Sequence, residues 1–424
     1  QLQTRRDRGA MTTTESVEYD RLGRIVRQTD VLGRVTATAY SENGLTETVT
    51  TPAGATLVTE RHPDGSVLHE YGTGQRERCH VYDIDHNCLR ETVTLADQTT
   101  ILSRTLVNGF GQSVVQVTPA TAGFLYDRSE YNAQGRLIRT WRDAGTQEGA
   151  VAMAPTLYEY DAFGNMTRET LALAEQPAPD NSPIREYAFS VENAEDGVYL
   201  VTTQTRYHAD GHPLVSVRKQ LLSELSGVLE TKTISIDERG LTSAEWTEYA
   251  ENTKRIQKSV IPSSSVTAQT VAADGLMLSQ QNHAGITETA ARAYTAAGMT
   301  LTRTDGRGNT TTIRTDLAGR AVSVTDAAGN ETVTQYDARF DLAAVVTDAL
   351  GNTVCAGYDA RGRKTAEWGT GTQPLLLGYD EAGRLVSLTT FRAAQEGDIA
   401  EDPSDRADGD TTTWSYDEAT GLET

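Results

Sequence analysis

Residues 325–363 read TDAAGN-ETVTQ-YDARFD-LAAVV-TDALGN-TVCAG-YDARGR, nearly the same six letters four times, with starts at 325, 336, 347 and 358. The period of eleven is too short for a helix-turn-helix unit and suits one strand plus one tight turn. Between turns the letters alternate. In RAVSVTD (320–326), Val322 and Val324 point one way while Ala321, Ser323 and Thr325 point the other, and GRIVRQTD (23–30) behaves similarly. Enrichment in Thr and Val with a period of two is the signature of a strand. Successive units therefore predict an all-β antiparallel meander of hairpins.

The same unit recurs as YDRLGR (19), TDVLGR (29), YDIDHN (82), YNAQGR (131), YDAFGN (160), YHADGH (207), YTAAGM (294), TDGRGN (304), TDLAGR (315), YDEAGR (379) and YDEATG (416). Each letter has a physical task. The Asp carboxylate accepts from backbone amides further along the turn, Gly supplies the positive φ that a short hairpin loop needs at its exit, and Arg or Asn starts the next strand. Tyr19, Asp20, Gly23, Asp161, Gly164, Asp337, Tyr358, Asp359, Gly362, Tyr379, Asp380, Gly383 and Asp417 are accordingly expected to be structural turn residues. Because these carboxylates recur once per turn, they are not expected to be catalytic, and no catalytic residue is assigned. Asn in their place is expected to be nearly silent. Ala is expected to cost about 0.5–2 kcal/mol, by analogy with a lost capping side chain.

Residues 1–424 read as one continuous repeat region and as an excerpt from a longer chain: repeats over 19–165, irregular repeats with longer loops over 166–293, and regular repeats over 294–424 with an acidic insertion at 396–410. LALAEQPAPDNSP (171–183) is a Pro-rich surface loop by composition. RKQLLSELSGVLE (218–230) places Leu221, Leu222 and Leu225 at helical spacing and is either a short helix or strands. A ribbon of so many short strands coils through its own twist and must hide its faces or edges by closing, spiralling or stacking. The apolar content of 38%, with aromatics that are mostly Tyr, suits a sheet wetted on at least one face better than a dry two-sheet sandwich.

A net charge of -21 opposes binding to phosphate backbones and anionic membrane surfaces, since both require clustered cations. No apolar run is long enough to span a bilayer as a helix. The three cysteines exclude a disulfide-built scaffold, and Cys79 and Cys88, flanking one turn, are either bridged or reduced. CHVYDIDHNC (79–88) gathers thiols, imidazoles and carboxylates at a spacing that matches no zinc pattern, and EGDIAEDPSDRADGD (396–410) reads as a solvated loop rather than a calcium site. No metal or cofactor is expected. The chain lacks GxSxG, HExxH and phosphate-loop motifs, and no enzymatic activity is expected.

The repeated YDxxGR units, with TDxxGN variants about eleven residues apart, resemble the RHS or YD-repeat family, which includes bacterial polymorphic toxins, insecticidal toxin complex B and C components, and teneurins. The resemblance covers nearly the whole chain, weakly in its middle third. It implies a long β-ribbon spiralling into part of a hollow shell, with a structural role in sequestering a C-terminal toxic cargo not present in this chain. The implied partners are the rest of the shell and an enclosed toxin domain. The implied location is secreted or at the bacterial cell surface. The terminal self-cleavage motif of such shells is not visible: DPSDR (402–406) shares only its first two letters. The alternative function is an extracellular carbohydrate- or receptor-binding module, for which the partners would be surface glycans. A third reading, a β-helix type enzyme, is disfavoured because its rungs are parallel and lack a hairpin every eleven residues.

Overall fold

In this computed structural model the described residues are 2–84, 88–95, 98–121, 123–144, 153–171, 184–207, 212–250, 254–261, 266–282, 284–391 and 400–424. Among them run 34 strands and one short 3-10 turn at Pro403–Asp405, with no α-helix. Strands of five or six residues dominate the regular repeats, as in Ala321–Thr325, Glu331–Tyr336 and Ala343–Thr347. Each pairs antiparallel with the next in sequence: Val324 faces Thr332, and Val333 faces Thr347.

The chain forms two compact units: residues 1–104 with 292–302 and 310–424, and residues 105–291 with 303–309. The first contains two hairpin runs, one starting at Leu2–Arg8 and one from Thr310–Thr315 to Gly409–Thr413. The second contains the longest strands, Ile184–Ala194, Gly197–Tyr207 and Pro213–Glu224. The stretch whose leucines allowed a helix is two strands and the bend between them: Pro213–Glu224 and Leu229–Ile236 pair with each other and with neighbours on both sides. Leu221 faces Tyr199, which is 1% exposed, whereas Leu222 and Leu225 stay in solvent. Ladder bonds on both edges outweigh a leucine spacing that no helical partner would bury.

Few apolar side chains are buried among the described residues; Val58, Val117, Tyr199, Leu301, Ala366 and Phe391 are examples. A single-layer ribbon has no opposing sheet to form a dry core, so strand pairing and turn chemistry carry more of its stability. The end of the acidic insertion is more ordered than a solvated loop. Asp402 accepts from the Ser404 amide, Pro403 is buried, Arg406 lies 4.7 Å over the Phe391 ring, and Gly409–Thr413 pairs with Leu385–Phe391. Residues 396–399 of that insertion, and 172–183 of the Pro-rich loop, lie outside the described residues.

Candidate functional site: two chemically distinct turn rims

Because strands cross the ribbon, successive turns fall alternately on its two rims, and an eleven-residue letter repeat becomes a physical repeat about twice as long. In the first unit one rim carries the turns Asp20–Arg24 and Ser41–Leu45 in the early run, and Asp337–Leu342, Asp359–Arg363 and Asp380–Arg384 in the late run. Tyr19, Tyr40, Tyr336, Tyr358 and Tyr379 precede these turns, so this is the Tyr rim. The opposite, Thr rim carries Asp30–Arg34 and Thr51–Ala55 in the early run and Asp326–Asn330 and Asp348–Asn352 in the late run, preceded by Thr29, Thr50, Thr325 and Thr347.

Both kinds of turn share one core. The Asp359 Oδ1 accepts from the amides of Arg361 and Arg363 at 2.9 Å each, and Asp348 holds Leu350 and Asn352 in the same way. The amide of the turn glycine donates to the aspartate carbonyl, as from Gly362 to Asp359. Gly23, Gly164, Gly362 and Gly383 have φ of 80°, 97°, 80° and 87°, the left-handed region in which a side chain is strained.

In the late run the rims differ in the partner of the second carboxylate oxygen and in register. On the Thr rim of the late run the second carboxylate oxygen accepts from an amide side chain, Asn330 Nδ2 to Asp326 Oδ2 and Asn352 Nδ2 to Asp348 Oδ2, both 2.8 Å, whereas in the early run Asp30 Oδ2 accepts from the Arg34 guanidinium. On the Tyr rim it accepts from a guanidinium, Arg363 Nε to Asp359 Oδ2 at 2.7 Å and Arg384 Nε to Asp380 Oδ2 at 2.6 Å. The hairpins that close at Tyr19, Tyr336, Tyr358 and Tyr379 also shift register there, at Glu18/Tyr19, Gln335/Tyr336, Gly357/Tyr358 and Gly378/Tyr379, while the one at Tyr40 does not. Thr-rim hairpins close without a shift, Thr325 on Glu331 and Thr347 on Thr353. A bulge adds twist and interrupts ladder pairing beside it.

The repeated tyrosine addresses that interruption. Tyr336 donates its hydroxyl to the Ala321 carbonyl at 2.9 Å and Tyr358 donates to Ala343 at 2.7 Å, each acceptor being the first residue after the preceding Tyr-rim turn. The arginine runs the other way. Arg363 Nη1 donates to the Asp380 carbonyl at 2.9 Å with its guanidinium 4.9 Å over the Tyr379 ring, and Arg384 reaches Asp417 and Tyr416 similarly. In the second unit, Arg136 donates to the Asp161 carbonyl at 2.8 Å and Tyr160 donates to the Leu137 carbonyl. Tyr thus clasps the preceding turn and Arg the following one on the same rim, with Asp holding the arginine. The tyrosine hydroxyls that composition assigned to water are, at these positions, bonded to backbone.

All thirteen turn residues singled out from sequence lie on Tyr-type turns. Tyr19 is 41% exposed. Asp417 accepts from the amide and hydroxyl of Thr420 in place of a guanidinium. Asp337 sits in the one Tyr-rim turn of the late run whose glycine position holds Phe340; Arg339 takes both its oxygens and also donates to the Tyr358 carbonyl. Sequence reasoning omitted the arginines, although their place in the motif was visible.

Each of these carboxylates accepts more than one hydrogen bond. Hydrogen bonds hold Asp20 (the Arg24 amide first), Asp161 (the Asn165 side chain first) and Asp337 (the Arg339 guanidinium first) below the usual carboxylate range. For Asp359 and Asp380 burial pushes upward most strongly, but the combined bonds from Arg363 and Arg384 outweigh it, and the net direction is down. Among the described residues no group of three or more His, Cys, Asp or Glu is arranged to hold a metal ion. Cys79 is a free thiol pushed up by burial; the Cys88 side chain and residues 85–87 lie outside the described residues. No described helix is long and apolar enough to cross a membrane.

The RHS Repeat family matches residues 19–56, 131–176 and 316–353, segments that contain the turns just described. This chain carries RHS repeats. No curated protein matches it. Among solved structures, the RHS-repeat chain is similar to one in the TcdB2-TccC3-Cdc42 crystal structure, at 13% identity over 97% of this chain and 22% of that one, with a TM-score of 0.49. It is similar at the same identity to a chain of the Photorhabdus luminescens Tc holotoxin pore, covering 97% of this chain and 21% of that one, TM-score 0.49. The RHS-repeat chain therefore spans about a fifth of the length of these structures.

Proposed function

We propose that this RHS-repeat chain is a non-catalytic stretch of wall in a secreted bacterial toxin-type protein, lying around a toxic polypeptide that belongs to another segment or subunit. The observation that carries this reading is the rim clasp. The repeated Tyr and Arg side chains, among those most suited to chemistry or recognition, are bonded to the neighbouring turn in both units, and the Asp carboxylates are bonded within their own turns. A wall needs that chemistry; a catalytic site would leave some of it free. The RHS repeats support the same assignment of partners.

Thr332 and Val333 are adjacent, both exposed, and on opposite faces of strand Glu331–Tyr336. In the full-length protein, with Cys79, Cys88 and Cys355 replaced by serine, Thr332→Cys and Val333→Cys report the two faces separately. A bulky maleimide is expected to modify one of them in the intact particle and the other only after denaturation. Equal modification of both would mean that neither face is enclosed.

A second reading, glycan binding, is favoured by one feature. In the second unit an open groove of about 390 Å3 on the sheet face is lined by Thr231, Thr233, Glu245, Thr247, Gln257 and Gln269. Hydroxyl, amide and carboxylate groups of that kind match a sugar's hydroxyls. Saturable binding on a glycan array, abolished by Gln257→Ala with Gln269→Ala, would establish that reading; no signal on the array would dismiss it.

A further inference from the structure

The two runs of the first unit meet rim to rim, and in one orientation only: the Thr rim of the early run against the Tyr rim of the late run. Arg34 donates to Asp341 at 2.9 Å, and Arg76 donates to Glu418 at 2.9 Å. Arg361, at the tip of the YDARGR turn, donates from Nε to the Thr73 carbonyl at 2.8 Å and from Nη2 to the Gln75 carbonyl at 3.2 Å. Its remaining nitrogen, Nη1, bonds the Glu381 carbonyl of its own rim at 2.8 Å. The receiving turn, Gly72-Thr73-Gly74-Gln75, is therefore a socket made of two backbone carbonyls for one planar guanidinium.

That turn occurs twice. Residues 71–75 read YGTGQ and residues 368–372 read WGTGT, both on the Thr rim. The two share the same opening geometry. Gly72 and Gly369 have φ of 126° and 128°. The Gly74 amide donates to Thr56 and the Gly371 amide to Thr353, at 2.8 and 2.9 Å. The Thr73 hydroxyl accepts from the Thr56 amide and the Thr370 hydroxyl from the Thr353 amide, at 2.9 and 2.8 Å. Neither opening glycine tolerates a Cβ, which would stand 2.3 Å from the Thr56 carbonyl oxygen or 2.2 Å from that of Thr353. The matched glycine φ and cross-strand hydrogen bonds put the Thr370 and Thr372 carbonyls at the positions that Thr73 and Gln75 hold in the occupied turn, the second turn adding a bond from the Thr372 amide to the Gly369 carbonyl. Among the described residues no donor reaches either carbonyl, and Thr370 is exposed.

We infer that Gly369–Thr372 is a second arginine socket, and that its occupant is the Tyr rim of another length of YD-repeat ribbon, inserting the arginine of an Asp-x-Arg-Gly-Arg turn. The occupied copy in the same unit fixes both the ligand and its orientation. A contact that joins unlike rims leaves one rim of each kind open, and a head-to-tail contact of that type propagates until it closes. Lysine is a poor substitute, because a single ammonium cannot address two carbonyls in one plane. The inference rests on the duplicated turn and not on enclosure of a cargo, so it stands or falls independently of the wall reading.

Trp368 adjoins the socket and reports on it. With 5-fluorotryptophan incorporated and its resonance assigned by Trp368→Phe, the protein is titrated with a cyclised hairpin peptide copying residues 357–364. The Trp368 signal is expected to shift saturably. Arg→Ala at the peptide's tip position is expected to weaken binding by about tenfold or more, and Arg→Lys, which keeps the charge, by nearly as much. Gly369→Ala in the protein is expected to remove the response; its melting temperature shows whether only the turn has changed. No saturable shift, or equal binding of the Arg and Lys peptides, would overturn the socket, the latter reducing it to general attraction by an acidic protein.

Discussion

Asp161 and Asp359 occupy the same place in the repeat but answer to different partners. Asp161 Oδ2 accepts from the Asn165 amide at 2.9 Å, whereas Asp359 Oδ2 accepts from the Arg363 guanidinium at 2.7 Å. Asp161→Asn keeps its acceptor for the turn amides, and Asn165 can flip to offer its oxygen, so the melting temperature should barely move. Asp359→Asn strands a half-buried guanidinium, and urea unfolding should show a loss of about 1–2 kcal/mol. A common response at both positions would show that the partner of the second oxygen, amide or guanidinium, does not decide the cost. Gly383 isolates the backbone contribution: its φ is 87° and a Cβ there would meet nothing within 4 Å. Gly383→Ala should therefore cost about 1–2 kcal/mol through conformation alone.

Between neighbouring hairpins, stability depends on whether the bulge beside each Tyr-rim turn is compensated. The Tyr336 hydroxyl reaches the Ala321 carbonyl, and the Arg320 guanidinium lies 4.4 Å over the same ring. Tyr336→Phe deletes the first contact and retains the second, so a loss of about 1 kcal/mol is expected. Hydrogen exchange should then quicken locally in Ala321–Thr325 and Glu331–Tyr336, leaving distant hairpins unchanged. Uniform acceleration along the ribbon would show that the hydroxyl acts on global stability instead.

At the scale of the molecule, the turn aspartates act together. Asp20, Asp161, Asp237, Asp305, Asp326, Asp337, Asp348, Asp359, Asp380 and Asp417 are all held below the usual carboxylate range. Such groups ionise more readily in the fold than in the unfolded chain. Their contribution is complete above the unfolded value of about 4 and disappears as pH falls through the lower folded values. Melting temperature should be nearly flat from neutral pH down to about 5 and drop steeply below about 4. A decline beginning near pH 6–7 would point to histidines instead. The contact between the two runs of the first unit is testable in the same protein. Asp341 receives Arg34 from the early run and Arg320 from the late run. A double-mutant cycle of Arg34→Ala and Asp341→Ala should return a coupling of about 0.5 kcal/mol, as expected for a pair whose carboxylate is solvent-exposed. Zero coupling would mean that the pair does not help hold the runs together.

The antiparallel meander and the position of its turns were legible in the letters themselves, because a turn that needs an acceptor and a positive φ every eleven residues leaves Asp and Gly at fixed places whatever surrounds them. Local chemistry of that kind needs no tertiary context. Three features did need it. The division into a Tyr rim and a Thr rim follows from which edge of the ribbon each turn reaches, a consequence of strands crossing the sheet. The strand identity of 218–230 was settled by ladder partners on both sides, which no leucine spacing reveals. The clasp of Arg361 into the turn at Gly72–Gln75 joins residues nearly three hundred positions apart. It depends on how one run of hairpins comes to lie against another. The repeat specifies each hairpin, but side-chain partners between runs are set by accumulated twist, which no single unit encodes.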